Sequence, residues 1–225
     1  MRSRRSSRGL SMVELLVGTA VGLGIVAAGT MVVTRHAREN RALAIESRLM
    51  QDLRTATDIV ARDLRRAGYW GASASGVRGD DGSAVLANPY ALVAPESAAS
   101  DAVRLSFSRD ASENGTLDGN ERFGFRLRNG AIELQLGDGN WQALTDPATL
   151  TVTAFEVEPR TEEKSLEHFC DQPCAAGSTT CPPRQQVRSF AVAIEAQAVA
   201  DPGVRRSVLA GARLRNGSVV GSCEA

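Results

Sequence analysis

The chain has 225 residues, 43% hydrophobic and 23% charged, enough apolar content to bury one sizeable core and too much for a disordered polymer. Its 26 basic and 26 acidic residues balance, but four arginines (Arg2, Arg4, Arg5, Arg8) precede Gly9, so that without residues 1–9 22 basic residues face 26 acidic, a net charge of −4. With aromatics at only 4% and no basic stripe among them, the composition excludes a direct electrostatic nucleic-acid binder.

The first element follows this basic leader. Leu10 to Val33 runs 24 residues with Glu14 as its only charge. As a helix rising about 1.5 Å per residue it is about 36 Å long, enough to span a bilayer with some tilt. A secretory signal peptide also has a basic n-region, an apolar h-region and small residues such as Ala27-Ala28-Gly29. This run, however, is about twice the usual h-region length, and Glu14 interrupts it early. An uncleaved anchor accounts for the span and leaves Gly9 and Glu14 as coincidences. A carboxylate in an apolar helix needs a partner or a role, the plain alternative being a side chain that snorkels to the headgroups. Gly18 and Gly22 have the GxxxG spacing that lets helices approach closely in lipid. Arginines on both sides of the span (the leader against Arg35, Arg38 and Arg41) leave orientation open on charge alone.

The string Gly9-Leu10-Ser11-Met12-Val13-Glu14-Leu15-Leu16-Val17 resembles the class III signal of type IV prepilins and type II secretion pseudopilins. That signal joins a short basic leader to a glycine, a cleavage point, a hydrophobic residue and a glutamate at the fifth mature position. The resemblance implies cleavage after Gly9 by prepilin peptidase, N-methylation of Leu10, and a role for Glu14 in assembly, neutralising the terminal amine of a neighbouring subunit. Leu10 departs from the phenylalanine most such proteins carry. Arg62-Asp63-Leu64-Arg65-Arg66-Ala67-Gly68-Tyr69-Trp70-Gly71 resembles the segment that ends the long helix in minor pilins of the PilW type. The implied fold is α+β: a long N-terminal helix, transmembrane in its first half and amphipathic in its second, packed on an antiparallel β-sheet domain.

Periodicity independently predicts the second half of that helix. Ala42, Ile45, Leu49, Leu53, Ala56, Val60, Leu64 and Ala67 recur every three or four residues, with charged residues between them. Joined to the span they give one helix from Leu10 to Ala67, about 87 Å long at the standard rise, with Gly68 as its stop. A coiled coil is the other reading of such spacing. The expected organisation is a leader at 1–9, a transmembrane or filament-core helix at 10–34, an amphipathic half at 35–68 and a periplasmic globular domain at 69–225. In that domain Gly71 to Asn88 reads as a loop. Strands are predicted at Ala102–Phe107, Arg122–Arg128, Ala131–Leu136, Thr149–Glu156, Val187–Ala196 and Val208–Leu214, with Asn129-Gly130 as a tight hairpin turn. One antiparallel sheet laid on the helix is the economical arrangement.

Cys170, Cys174, Cys181 and Cys223 all follow the span, and an even count in an oxidising compartment favours disulfides, with three pairings open. Zinc held by His168 and three of the cysteines is the alternative, but C-x3-C-x6-C is not a common finger spacing. Asp110, Asn114, Asp118, Asn120 and Glu121 concentrate carboxylate and amide oxygens in twelve residues, which suits calcium. Their spacing departs from the EF-hand pattern, and a solvated loop is the simpler reading. No other cofactor is expected. His36 at the membrane boundary and His168 among the cysteines stand by no activated serine motif, and no phosphate-cradling glycine loop or HExxH occurs, so the chain is not expected to be an enzyme.

The resemblance therefore implies a minor pilin of a type IV pilus. It would prime pilus assembly in the inner membrane, as a single-pass protein with a periplasmic C-terminal domain, and then enter the pilus fibre at or near its tip. The machine would serve adhesion, twitching motility or DNA uptake. Implied partners are prepilin peptidase, other minor pilins, the major pilin, the inner-membrane assembly platform and a tip adhesin. A minor pseudopilin of a type II secretion system is the alternative, and a membrane-anchored periplasmic binding domain a second.

Overall fold

The computed structural model describes residues 11–76 and 86–224. One helix, α1, runs Met12–Arg66, and eight strands follow: β1 Ala102–Ser106, β2 Arg122–Arg128, β3 Ala131–Leu136, β4 Trp141–Ala143, β5 Leu150–Ser165, β6 Arg184–Ala198, β7 Arg205–Arg213 and β8 Ser218–Val220. Contacts divide the chain into two units after Ala44.

The first unit, residues 11–44, is helical from Met12 onward, and every described residue in it is exposed. It contains the apolar window long enough to cross a membrane. Its threonines donate to their own helix, Thr19 to the Leu16 carbonyl at 2.9 Å and Thr30 to that of Ala27 at 2.8 Å, so their hydroxyls demand nothing of the surroundings.

In the second unit α1 buries Leu49, Leu53, Ala56, Val60, Ala61 and Leu64. The amphipathic stripe begins later than the sequence suggests, since Ala42 is exposed and Ile45 half-buried. Gly68 adopts φ +74°, a left-handed conformation that glycine takes without Cβ strain, and ends the helix. The carbonyls orphaned at this end find distant donors: the Arg215 amide reaches Arg65 O at 3.3 Å, and Asn216 Nδ2 reaches Ala67 O at 3.1 Å.

The strands form two antiparallel sheets rather than one, β1-β2-β3-β4 and β5-β6-β7, with β8 on β6. Hydropathy alternation assigns a residue to a face but not to a sheet, which is why the split was not legible. In the first sheet Val103, Leu105, Phe123, Phe125 and Ile132 are buried, and Phe107 stacks on Phe123 at 4.1 Å. Asn129 (φ 52°) and Gly130 (φ 74°) make the predicted β2–β3 turn. In the second sheet a bulge between Val152 and Ala154 shifts the alternation by one, so Leu150 and Val152 before it and Phe155 and Val157 after it all enter the core. The predicted strands at Arg122–Arg128 and Ala131–Leu136 have their observed bounds, and β1 ends one residue early. β5 runs nine residues past the expected Glu156, because Pro159 to Ser165 is polar on both faces and shows no alternation. β4 and β8, three residues each, are too short to carry a pattern.

Candidate functional site

Beyond Gly9 and Leu10, the residues singled out by the sequence fall into three places: the start of α1, the oxygen-rich loop and the cysteine region. Gly9 and Leu10 lie outside the described residues. Glu14 lies in the first turn of α1, where Leu15 N–H already bonds to Ser11 O at 3.1 Å and Ser11 Oγ accepts weakly from Val13 N–H at 3.4 Å. Unpaired amides at a helix start favour a carboxylate. Among the described residues no cation pairs with Glu14. Around it Met12, Val13, Leu15, Leu16 and Val17 are all exposed, and a Cβ added at Gly18, Gly22, Gly24 or Gly29 would meet nothing within 4 Å. Among the described residues nothing packs closely enough on this unit to require those glycines.

The oxygen-rich loop is organised around a side chain the sequence reading did not single out, Tyr90. Glu121 is 0% exposed, and its carboxylate accepts from the amides of Arg109 (2.8 Å) and Asp118 (2.9 Å) and faces the Tyr90 hydroxyl at 3.2 Å. Two further acceptors compete for that single phenolic proton, Glu113 Oε1 at 3.0 Å and the Thr116 carbonyl at 3.1 Å. Burial first, then the acceptor Glu113, push the Tyr90 phenol far above its ordinary value. Burial would raise the Glu113 carboxyl, but hydrogen bonds from Ser108, Tyr90 and the amides of Gly71 and Gly115 outweigh it and hold the group below its usual range. Asn114 Nδ2 binds Asp118 at 2.8 Å, and the Asn114 amide reaches Asp110 at 3.2 Å. Among the described residues no hydrogen bond brings Asn120 into this network. The oxygens proposed for calcium are thus largely engaged by protein donors, and among the described residues no group of three or more His, Cys, Asp or Glu side chains is arranged to hold a metal. The arrangement is a rigid hydrogen-bonded knot. Its sequence trace was Asp118 with Glu121 three residues later, the capping-box spacing, and the Asp118 amide donates to the Glu121 carboxylate at 2.9 Å.

The cysteines pair as Cys170–Cys223 and Cys174–Cys181. All four sulfurs are engaged, which removes the thiolates a zinc site with His168 would need. The first bridge closes 53 residues and the second 7. In the chain-entropy account these constrain the unfolded state by about 4 and about 2 kcal/mol. His168 lies tilted against the Phe169 ring, centroids 4.0 Å apart, and His36 lies beside Glu39 at 3.8 Å. A cleft of about 510 Å³ opens between residues 88–96 and the β5–β6 pair, where Arg188 Nη1 donates to Ala91 O at 2.9 Å.

A family model described as prepilin peptidase-dependent protein B matches residues 42–214, about three quarters of the chain. The chain belongs to this family. The match to prepilin peptidase-dependent protein B covers the stretch from Ala42 in α1 to Leu214 just past β7 and stops short of the Gly9–Glu14 string, so the motif and the family match are separate observations. No curated protein and no solved structure matches the chain.

Proposed function

We propose that the chain is a minor pilin of a type IV pilus, cleaved after Gly9 by prepilin peptidase and methylated on Leu10. It primes assembly in the inner membrane with other minor pilins and is carried at or near the pilus tip. The observation that carries this reading is Glu14, five residues past a glycine that closes a basic leader, in a chain whose remaining three quarters match a prepilin peptidase-dependent family. Support also comes from the 11–44 unit, whose exposed aliphatics and unconstrained glycines need a lipid or helical environment. The disulfides suit a globular unit on the periplasmic side.

Cleavage leaves a positive amine on Leu10. Opposite unit charges about 4 Å apart attract by about 4 kcal/mol at an effective dielectric of about 20. Glu14 answering the amine of a neighbouring subunit would set the register of packing. Glu14→Ala is expected to leave membrane insertion and cleavage intact and reduce the chain in sheared pili to background. Normal incorporation of the variant would refute the role of Glu14. Tyr69-Trp70 after Arg65-Arg66-Ala67-Gly68 favours the pilus over the type II secretion pseudopilin; loss of secretion with pili intact, in a strain lacking the chain, would reverse that choice.

A further inference from the structure

The second sheet has two edges, and the chain treats them differently. On β5, Val157 exchanges both backbone bonds with Ser100 (2.9 and 3.1 Å). The next outward-facing position on that edge is Pro159, which has no N–H to offer, so this edge is blocked around Val157 and Pro159. The opposite edge is β7. The Leu214 amide donates to Arg188 O and the Ala198 amide to Val204 O. With the β6–β7 register, these bonds put the even-numbered residues of β7 in hydrogen-bonded pairs with β6. The odd-numbered residues, Arg205, Ser207, Leu209, Gly211 and Arg213, therefore direct N–H and C=O away from β6. All five are exposed, Leu209 by 75%. Among the described residues their outward groups make one hydrogen bond, in which the Arg206 side chain donates to the Arg205 carbonyl at 2.6 Å.

The charge at this edge has one sign. From Arg205 to Val219 there are four arginines and no acidic residue. Arg206 pairs with Glu46, but among the described residues Arg205, Arg213 and Arg215 form no ion pair. The acidic side chain of β6, Glu195, stands opposite Ser207. A second copy is a poor occupant: two β7 strands pairing antiparallel about Leu209 would set Arg205 against Arg213 at both ends, and like charges directly opposite are destabilising.

We propose that the free edge of β7 is a docking site for an extended, acidic segment of another polypeptide, which adds as a strand. Its backbone would bond to the odd-numbered residues, its carboxylates would meet Arg205 and Arg213, and a central apolar side chain would lie beside Leu209. This inference goes beyond the filament reading and stands whether or not the chain is a pilin.

The test uses the full chain in detergent and a short fluorescein-labelled peptide alternating glutamate with valine and threonine. Anisotropy is expected to show binding that weakens about tenfold or more in Leu209→Pro, which removes one outward N–H and no bond to β6. A similar loss is expected in the double variant Arg205→Glu/Arg213→Glu, and no binding by a lysine counterpart of the peptide. Equal binding by Leu209→Pro would mean charge attraction without strand addition and would overturn the proposal. Failure of the acidic peptide to bind, or binding of single-stranded DNA in its place, would also overturn it. Should Leu209→Pro not fold, amide hydrogen exchange on the unmodified chain decides. The peptide is expected to slow the odd-numbered amides of β7 selectively, and unchanged exchange there refutes the proposal.

Discussion

The unit at residues 11–44 and the unit beginning at Ile45 use similar aliphatic residues to opposite ends. Leu23 is 72% exposed and Leu53 is 0% exposed, although both lie on one uninterrupted helix. In the globular unit apolar faces meet other apolar faces, and the buried Glu121 receives donors from within the chain. In the N-terminal unit nothing among the described residues answers the aliphatics, the glycines or Glu14. A helix that is apolar all round draws its stabilisation from its surroundings, so the first unit is built for an environment and the second for itself.

The sharpest way to break this comparison is a pair of truncations. Leu53→Ala is expected to destabilise the globular unit by about 2–5 kcal/mol, the range for a fully buried leucine. Leu23→Ala is expected to change it by no more than about 0.5 kcal/mol. Thermal unfolding of both variants in detergent, followed by near-ultraviolet circular dichroism, checks this, and equal losses would erase the distinction. A smaller effect is expected from Tyr90→Phe. Removing the shared hydroxyl leaves Glu121 buried with one donor fewer, a loss of about 1–3 kcal/mol by denaturant titration. The smallest concerns acid. Hydrogen bonding holds the Glu113 carboxyl below the usual carboxylate range, so its contribution to stability is complete above that range and is lost as pH falls through the lowered folded value. Glu113→Gln should lower the neutral plateau slightly and make the acid side of the stability profile shallower, since the variant lacks the charge whose loss weakens the protein in acid.

Much of the architecture was legible because its signals are local. The period of α1 from Leu49 to Leu64, the stop at Gly68 and the Asn129-Gly130 turn each rest on a few adjacent residues. What escaped depends on partners far apart in sequence. Asn216 caps a helix that ended about 150 residues earlier, and no composition rule points from one to the other. Glu121 reads as a surface carboxylate in an acidic loop, yet Tyr90, 31 residues upstream, helps draw it inside. The distal half of β5 is held by its ladder with β6 rather than by burial, so hydropathy was silent there. For the candidate site the balance is reversed. Gly9, Leu10 and Glu14 are proposed from the sequence alone, because the role proposed for them concerns a peptidase and neighbouring subunits rather than contacts within the chain.

Mass spectrometry of the amino terminus, on protein taken from native membranes, decides whether the chain is a processed prepilin. A chain beginning at N-methylated Leu10 is expected. A chain beginning at Met1, or beyond Ala28, would contradict that processing.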